Sequence, residues 1–124
     1  MLVSTLHYHR QSKLLDIHFD SGSISTLSAE FLRVHSPSAE VQGHHTGQPT
    51  LVTNKRDVAI SQIEAVGHYA VRILFDDGHQ SGLYSFRYLA HLCHDEQSLW
   101  QTYLERLEQA NARRESGIAI RVTP

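Results

Sequence analysis

The chain has 124 residues, 40% of them hydrophobic and 19% charged, enough apolar content for one packed core and too little for a bilayer-embedded chain. Eleven Lys and Arg against thirteen Asp and Glu give a formal charge of −2, so no basic surplus is available to neutralise phosphates, which argues against nucleic acid as a partner. The single cysteine, Cys93, permits no internal disulfide; with no apolar run near the roughly 18 residues needed to span a membrane and no leader-like start, the expected location is the cytoplasm.

In chain order, the first polar cluster is His7-Tyr8-His9, expected to be surface histidines. Leu15, Ile17 and Phe19 then alternate with polar residues and reach Asp20-Ser21-Gly22, a strand running into a hairpin turn whose glycine supplies the positive φ of a tight reversal. The same pattern returns as Val71, Ile73, Phe75 and Asp76-Asp77-Gly78, so the chain contains a duplicated unit. Beyond the glycines, Ser25 and Leu27 align with Ser81 and Leu83, and after one inserted residue Phe31-Leu32 aligns with Tyr88-Leu89. Each copy reads as strand, turn, strand and short helix. Ser28 and Ser85 are the expected N-caps, and Leu27 with Leu32 and Tyr84 with Leu89 have the spacing of a hydrophobic staple.

The segment Leu32 to His45 is a polar loop broken by Pro37, the kind of connection on which binding residues often sit. Val58 to Val66 is an expected strand, paired across Gly67-His68 with 69–75. Cys93 follows a short helix near His91 and His94 without a glycine-rich elbow, which favours a half-buried structural thiol over a nucleophile. Leu99, Trp100, Tyr103, Leu104 and Leu107 form one helical stripe. Asp95 is its expected N-cap, and Arg113 and Arg114 are expected to complement the dipole at its end.

These elements predict an α+β fold: a mainly antiparallel sheet from a duplicated hairpin-helix unit, covered by a C-terminal amphipathic helix. One domain is expected over residues 1–115, with a C-terminal tail over 116–124 that either adds an edge strand or frays. His18-Phe19-Asp20 has the His-x-Asp spacing of an iron facial triad. Asp20 is already accounted for by the turn, as Asp76 is in the second copy.

Several separated blocks carry a resemblance: Leu32-Arg33, Ser36 to His44, Lys55 to Val58, Val66 to Val71, Phe75 to His79 and Ser81 to Ser85. Together they resemble the gamma-butyrobetaine hydroxylase-like N-terminal domain family, known in bacteria as domain of unknown function 971. The resemblance implies a compact α+β domain that, in carnitine-pathway oxygenases, precedes the catalytic barrel. It also implies structural zinc held by a Cys-x-Cys-x-x-Cys loop and a later histidine. The matching positions are Ser36, Ser38 and Val41 for the cysteines and His79 for the histidine, so the likeness brings the fold but neither the zinc nor the oxygenase activity. Similar domains are attached to Mrp-type carriers of iron–sulfur clusters.

The resulting expectation is a non-catalytic binding or adaptor module without a cofactor. Its protein partner would contact Arg33, Ser36, Pro37, Ser38, Glu40, Gln42, His44, Arg56 and His79, and iron–sulfur assembly proteins are the candidate partners; neither nucleic acid nor membrane is expected. One alternative is a zinc- or iron-binding protein using histidines such as His35, His44 and His79, with His79 the metal position inherited from the resemblance. A small enzyme related to the carnitine-pathway oxygenases is the third class.

Overall fold

The computed structural model describes residues 2–38, 41, 50–80 and 82–115. Two three-stranded antiparallel sheets are each followed by a helix: β1 (Val3–His9), β2 (Leu14–Phe19), β3 (Ile24–Ser28) and α1 (Ala29–Val34), then β4 (Ile60–Val66), β5 (Ala70–Phe75), β6 (Gly82–Ser85) and α2 (Phe86–His94). A longer helix, α3 (Glu96–Gln109), closes the order. No helix among the described residues is long and apolar enough to cross a membrane.

The duplicated unit is longer than the sequence pattern predicts, because it begins one strand earlier. In β1 the register slips between Val3 and Thr5, opposite Phe19 and His18; in β4 it slips between Ile60 and Gln62, opposite Phe75 and Leu74. Both copies therefore carry an irregularity at the same place. Each is also tied to its turn in the same way: the Asp20 carboxylate accepts the Leu2 N–H, and the Asp76 carboxylate accepts the Ala59 N–H, both at 3.0 Å. Gly22 and Gly78 have φ of +92° and +91°, as the turn chemistry requires.

One part of the internal alignment is corrected. Ile17 pairs with Ser25 while Ile73 pairs with Gly82, and Leu15 pairs with Leu27 while Val71 pairs with Tyr84. The structural counterpart of Leu27 is thus Tyr84, not Leu83. Leu27 and Tyr84 have no exposed surface, whereas Leu83 is 46% exposed. The extra residue therefore lies ahead of β6 and not after it, because a pleated strand cannot absorb a one-residue slip without turning its core face outward.

Ser28 and Ser85 cap α1 and α2 as expected, each side chain accepting the N–H three residues on at 3.0 Å. Asp95 precedes α3 but its side chain makes no cap bond; its carboxylate instead lies 2.9 Å from His91 Nδ1 and 3.0 Å from His94 Nδ1. The helix ends at Gln109, so Arg113 and Arg114 lie beyond its last turn. Arg114 forks onto the buried Glu30 carboxylate at 2.8 and 2.9 Å and stacks over Trp100, a bidentate geometry stronger than a single bond. The tail over 116–124 lies outside the described residues.

The apolar faces of both copies meet in one core that includes Leu15, Ile17, Phe19, Phe31, Ile73, Phe75, Tyr84 and Leu89. Tyrosine hydroxyls stitch the copies together. Tyr84 Oη donates to the Leu32 carbonyl at 2.5 Å and Tyr88 Oη to the His35 carbonyl at 2.6 Å, so the second copy satisfies carbonyls that the end of α1 leaves without a helical partner. Burial pushes the Tyr84 phenol well above its usual range, keeping it a neutral donor.

Candidate functional site

Helix α1 ends where the β5–β6 turn reaches back to it. Ser36 has no exposed surface and its Oγ lies 2.8 Å from His79 Nε2, with Ser38 Oγ 3.3 Å from the same nitrogen. Ser36 Oγ also donates to Ser38 Oγ and accepts the Ser38 N–H, both at 3.3 Å. Gly82 makes room for this arrangement: a Cβ there would stand 2.8 Å from Ser36 Oγ. Val41 is buried beside this loop at 2% exposure. Ser36, Ser38 and His79, which the sequence matched to zinc-ligand positions, do converge in space.

The donor set does not fit zinc. Such a site takes thiolates, imidazoles or carboxylates, and these positions supply two neutral hydroxyls, an alkyl group and one imidazole whose Nε2 already has hydroxyl neighbours. Hydrogen bonding and packing hold this corner.

An ion cluster lies alongside. The Asp77 carboxylate is 2.8 Å from Arg33 Nε and 2.6 Å from Lys55 Nζ, and it accepts the His79 N–H at 3.0 Å. Burial pushes this carboxyl up, but the bonds from Lys55, the His79 backbone and Arg33 outweigh it and hold the group at about 2 against an ordinary 3.8. A lowered carboxyl pKa contributes stability that is fully present above about pH 4 and lost as the pH falls through about 2. Asp77 is partly exposed and water screens its partners, so we expect about 1 kcal/mol to disappear over that window. Urea unfolding between pH 2 and 5 checks this, with Asp77→Asn expected to flatten that part of the profile.

The residues assigned to a partner surface fall into three groups. Arg33, Ser36 and Ser38 face inward, the guanidinium Nη1 being buried without a hydrogen-bond partner among the described residues. Arg56 is exposed and pairs with Glu115 at 3.1 Å, and Pro37 is half-buried. Glu40, Gln42 and His44 lie outside the described residues. His35 and His79 are not gathered round a common point: His35 Nδ1 lies 2.9 Å from the Phe31 carbonyl, whereas His79 Nε2 faces the serines.

A feature the sequence did not announce lies on the other side of His35. The described residues leave a cleft of about 500 Å³ between the end of α1, α2 and α3, with Val34, Val52, Leu92, Leu99 and Tyr103 as its apolar lining and His35, His91 and Arg106 among its polar groups. Burial holds the His35 imidazole below its usual range. A carbonyl can only accept, so Nδ1 carries the proton and Nε2 is left as an acceptor in the neutral ring. Helical periodicity marks Leu99 and Tyr103 as one face of a helix, but not that part of this face borders an open cleft.

Fold and site together define a duplicated α+β domain whose halves meet at a buried serine–histidine corner, with an apolar, basic-edged cleft at its helical end. The chain belongs to the family described as gamma-butyrobetaine hydroxylase-like, N-terminal, which matches residues 6–90. It is similar to two proteins whose solution structures were determined by NMR. One is 50% identical, with 99% of this chain and 92% of the other covered, and the second is 38% identical with 99% and 98% covered; both give a TM-score of 0.80. A crystal structure from Acidithiobacillus ferrooxidans, a protein of unknown function in the DUF971 family, is 31% identical over 73% of this chain and 91% of its own, with a TM-score of 0.62. No curated protein matches.

Proposed function

We propose that the chain is a non-catalytic binding module that takes a protein partner at the α1–α2–α3 cleft, the partner placing an apolar side chain in it with an acidic group beside His91 and Arg106. The observation that carries this reading is the cleft itself: a concave apolar surface with a few polar groups is the form of a pocket, and an anchoring side chain of a protein partner fills such a pocket at an interface. The chemistry of the reactive groups supports it. The Ser36 hydroxyl beside His79 has no exposed surface, and burial pushes the Cys93 thiol up, the opposite of what activates a nucleophile. The family resemblance makes iron–sulfur assembly proteins in the cytoplasm the first partners to try.

The test is quantitative capture of such proteins by the purified chain. Thr102→Arg, placing a long side chain at another residue of the cleft lining, and Arg106→Glu, reversing its charge, are each expected to weaken capture by roughly tenfold or more, the scale of a binding hot spot. Melting temperature should stay within a few degrees of the parent. Undiminished capture by both variants removes the cleft from the reading, and no capture by the parent removes these partners.

A further inference from the structure

We infer that His7, His9 and Asp16 form a binding site for a borderline divalent cation of the zinc class on the outer face of the first sheet. His7 and His9 are alternate residues of β1, so both project from one face, and Asp16 on β2 is the register partner of His7. One ligand atom from each of the three lies within 4.8 Å of the other two. The imidazole rings are 4.4 Å apart between centroids, and His9 Nε2 is 2.8 Å from Asp16 Oδ2. Tetrahedral zinc with ligands at about 2.1 Å needs donor atoms roughly 3.4 Å apart. Side-chain rotation alone closes the difference, since His9 and Asp16 remain partly exposed and His7 is exposed. Thr26 Oγ1 donates to the other carboxylate oxygen, Asp16 Oδ1, at 2.7 Å, orienting the group as outer-shell hydrogen bonds do around metal ligands.

The second copy supplies an internal control. By register, His7, Asp16 and His9 correspond to Glu64, Arg72 and Val66, where the fold carries an ordinary ion pair, Arg72 Nη1 to Glu64 Oε1 at 3.8 Å. The fold therefore does not require a His-His-Asp set at these positions. Two imidazoles and one carboxylate suit zinc, with the remaining coordination position open to water. This site shares no residue with the cleft, so it stands or falls separately from the proposed partner binding.

Zinc chloride titrated into the full chain at pH 7.5, followed by calorimetry, is expected to show saturable binding of one ion per chain. His7→Ala and Asp16→Asn should each weaken that binding by at least tenfold, and Thr26→Val by about tenfold, the effect expected of an outer-shell partner. His94→Ala, at an exposed histidine that is not one of the three ligands, should leave it unchanged. In NMR spectra, substoichiometric Cu²⁺ should broaden amide signals around Leu6–His9 and Leu15–Ile17 first. Absence of saturable binding, affinity untouched by His7→Ala and Asp16→Asn, or broadening centred on other histidines would each overturn the assignment. Circular dichroism of each variant confirms that a lost site is not a lost fold.

Discussion

Phe19→Ala and Phe75→Ala are each expected to lower the unfolding free energy by about 3–5 kcal/mol, the cost of removing a buried phenyl ring from a packed core. The two rings are 5% and 3% exposed, end equivalent strands, and stand opposite the equivalent irregularities at Val3 and Ile60. Each also anchors its turn through the backbone, Phe19 N–H to Ser23 O and Phe75 N–H to His79 O, so relaxation into the void would have to move a glycine turn already fixed by its positive φ. Phe75 should show the larger loss because its partner Ile60 is buried at 4% while Val3 is only half-buried, leaving that side less able to collapse. Denaturant unfolding with unchanged m-values checks both. A loss below about 1 kcal/mol at either position, the level of an average substitution, would show that the duplicated positions are not equivalent core sites.

How much of this was legible in the sequence depends on which physical signal each element carried. Period-two alternation in β2 and β5, serine caps and Asp-x-Gly turns are local, and all three appear where the residues placed them. Strand β1 was not legible, because the slip between Val3 and Thr5 breaks the alternation: its core-packed residues are Val3, Leu6 and Tyr8, spaced by three and then two. With β1 unplaced, His7-Tyr8-His9 reads as a cluster of surface histidines; only the antiparallel register brings Asp16 against them. Identity aligns Leu83 with Leu27 whereas burial equates Leu27 with Tyr84, and the extra residue ahead of β6 has no sequence mark. The approach of Ser36 to His79 came from family likeness alone, since nothing in the loop composition signals a contact 43 residues away.

That approach makes the second large effect calculable. Replacing Ser36, Ser38 and Val41 together by cysteine is expected to create a zinc site, with His79 as the fourth ligand. Both serine Oγ atoms already lie within 3.3 Å of His79 Nε2, inside the roughly 3.4–3.8 Å that separates nitrogen and sulfur ligands around one tetrahedral zinc. Structural zinc is worth about 10 kcal/mol or more in modules that depend on it, and the gain here should appear as a higher unfolding midpoint with metal than with chelator. Without metal the same variant should be less stable than the parent, because the Ser36–Ser38–His79 hydrogen bonds are gone and each typically contributes about 1 kcal/mol. Cobalt substitution should give a thiolate charge-transfer band that weakens when His79 is changed to Ala, whereas the band of an exposed cysteine cluster would not respond to His79. A variant that binds no metal would mean that position 41 does not face the imidazole, and that hydrogen bonding has reshaped this corner beyond what three sulfur atoms can restore.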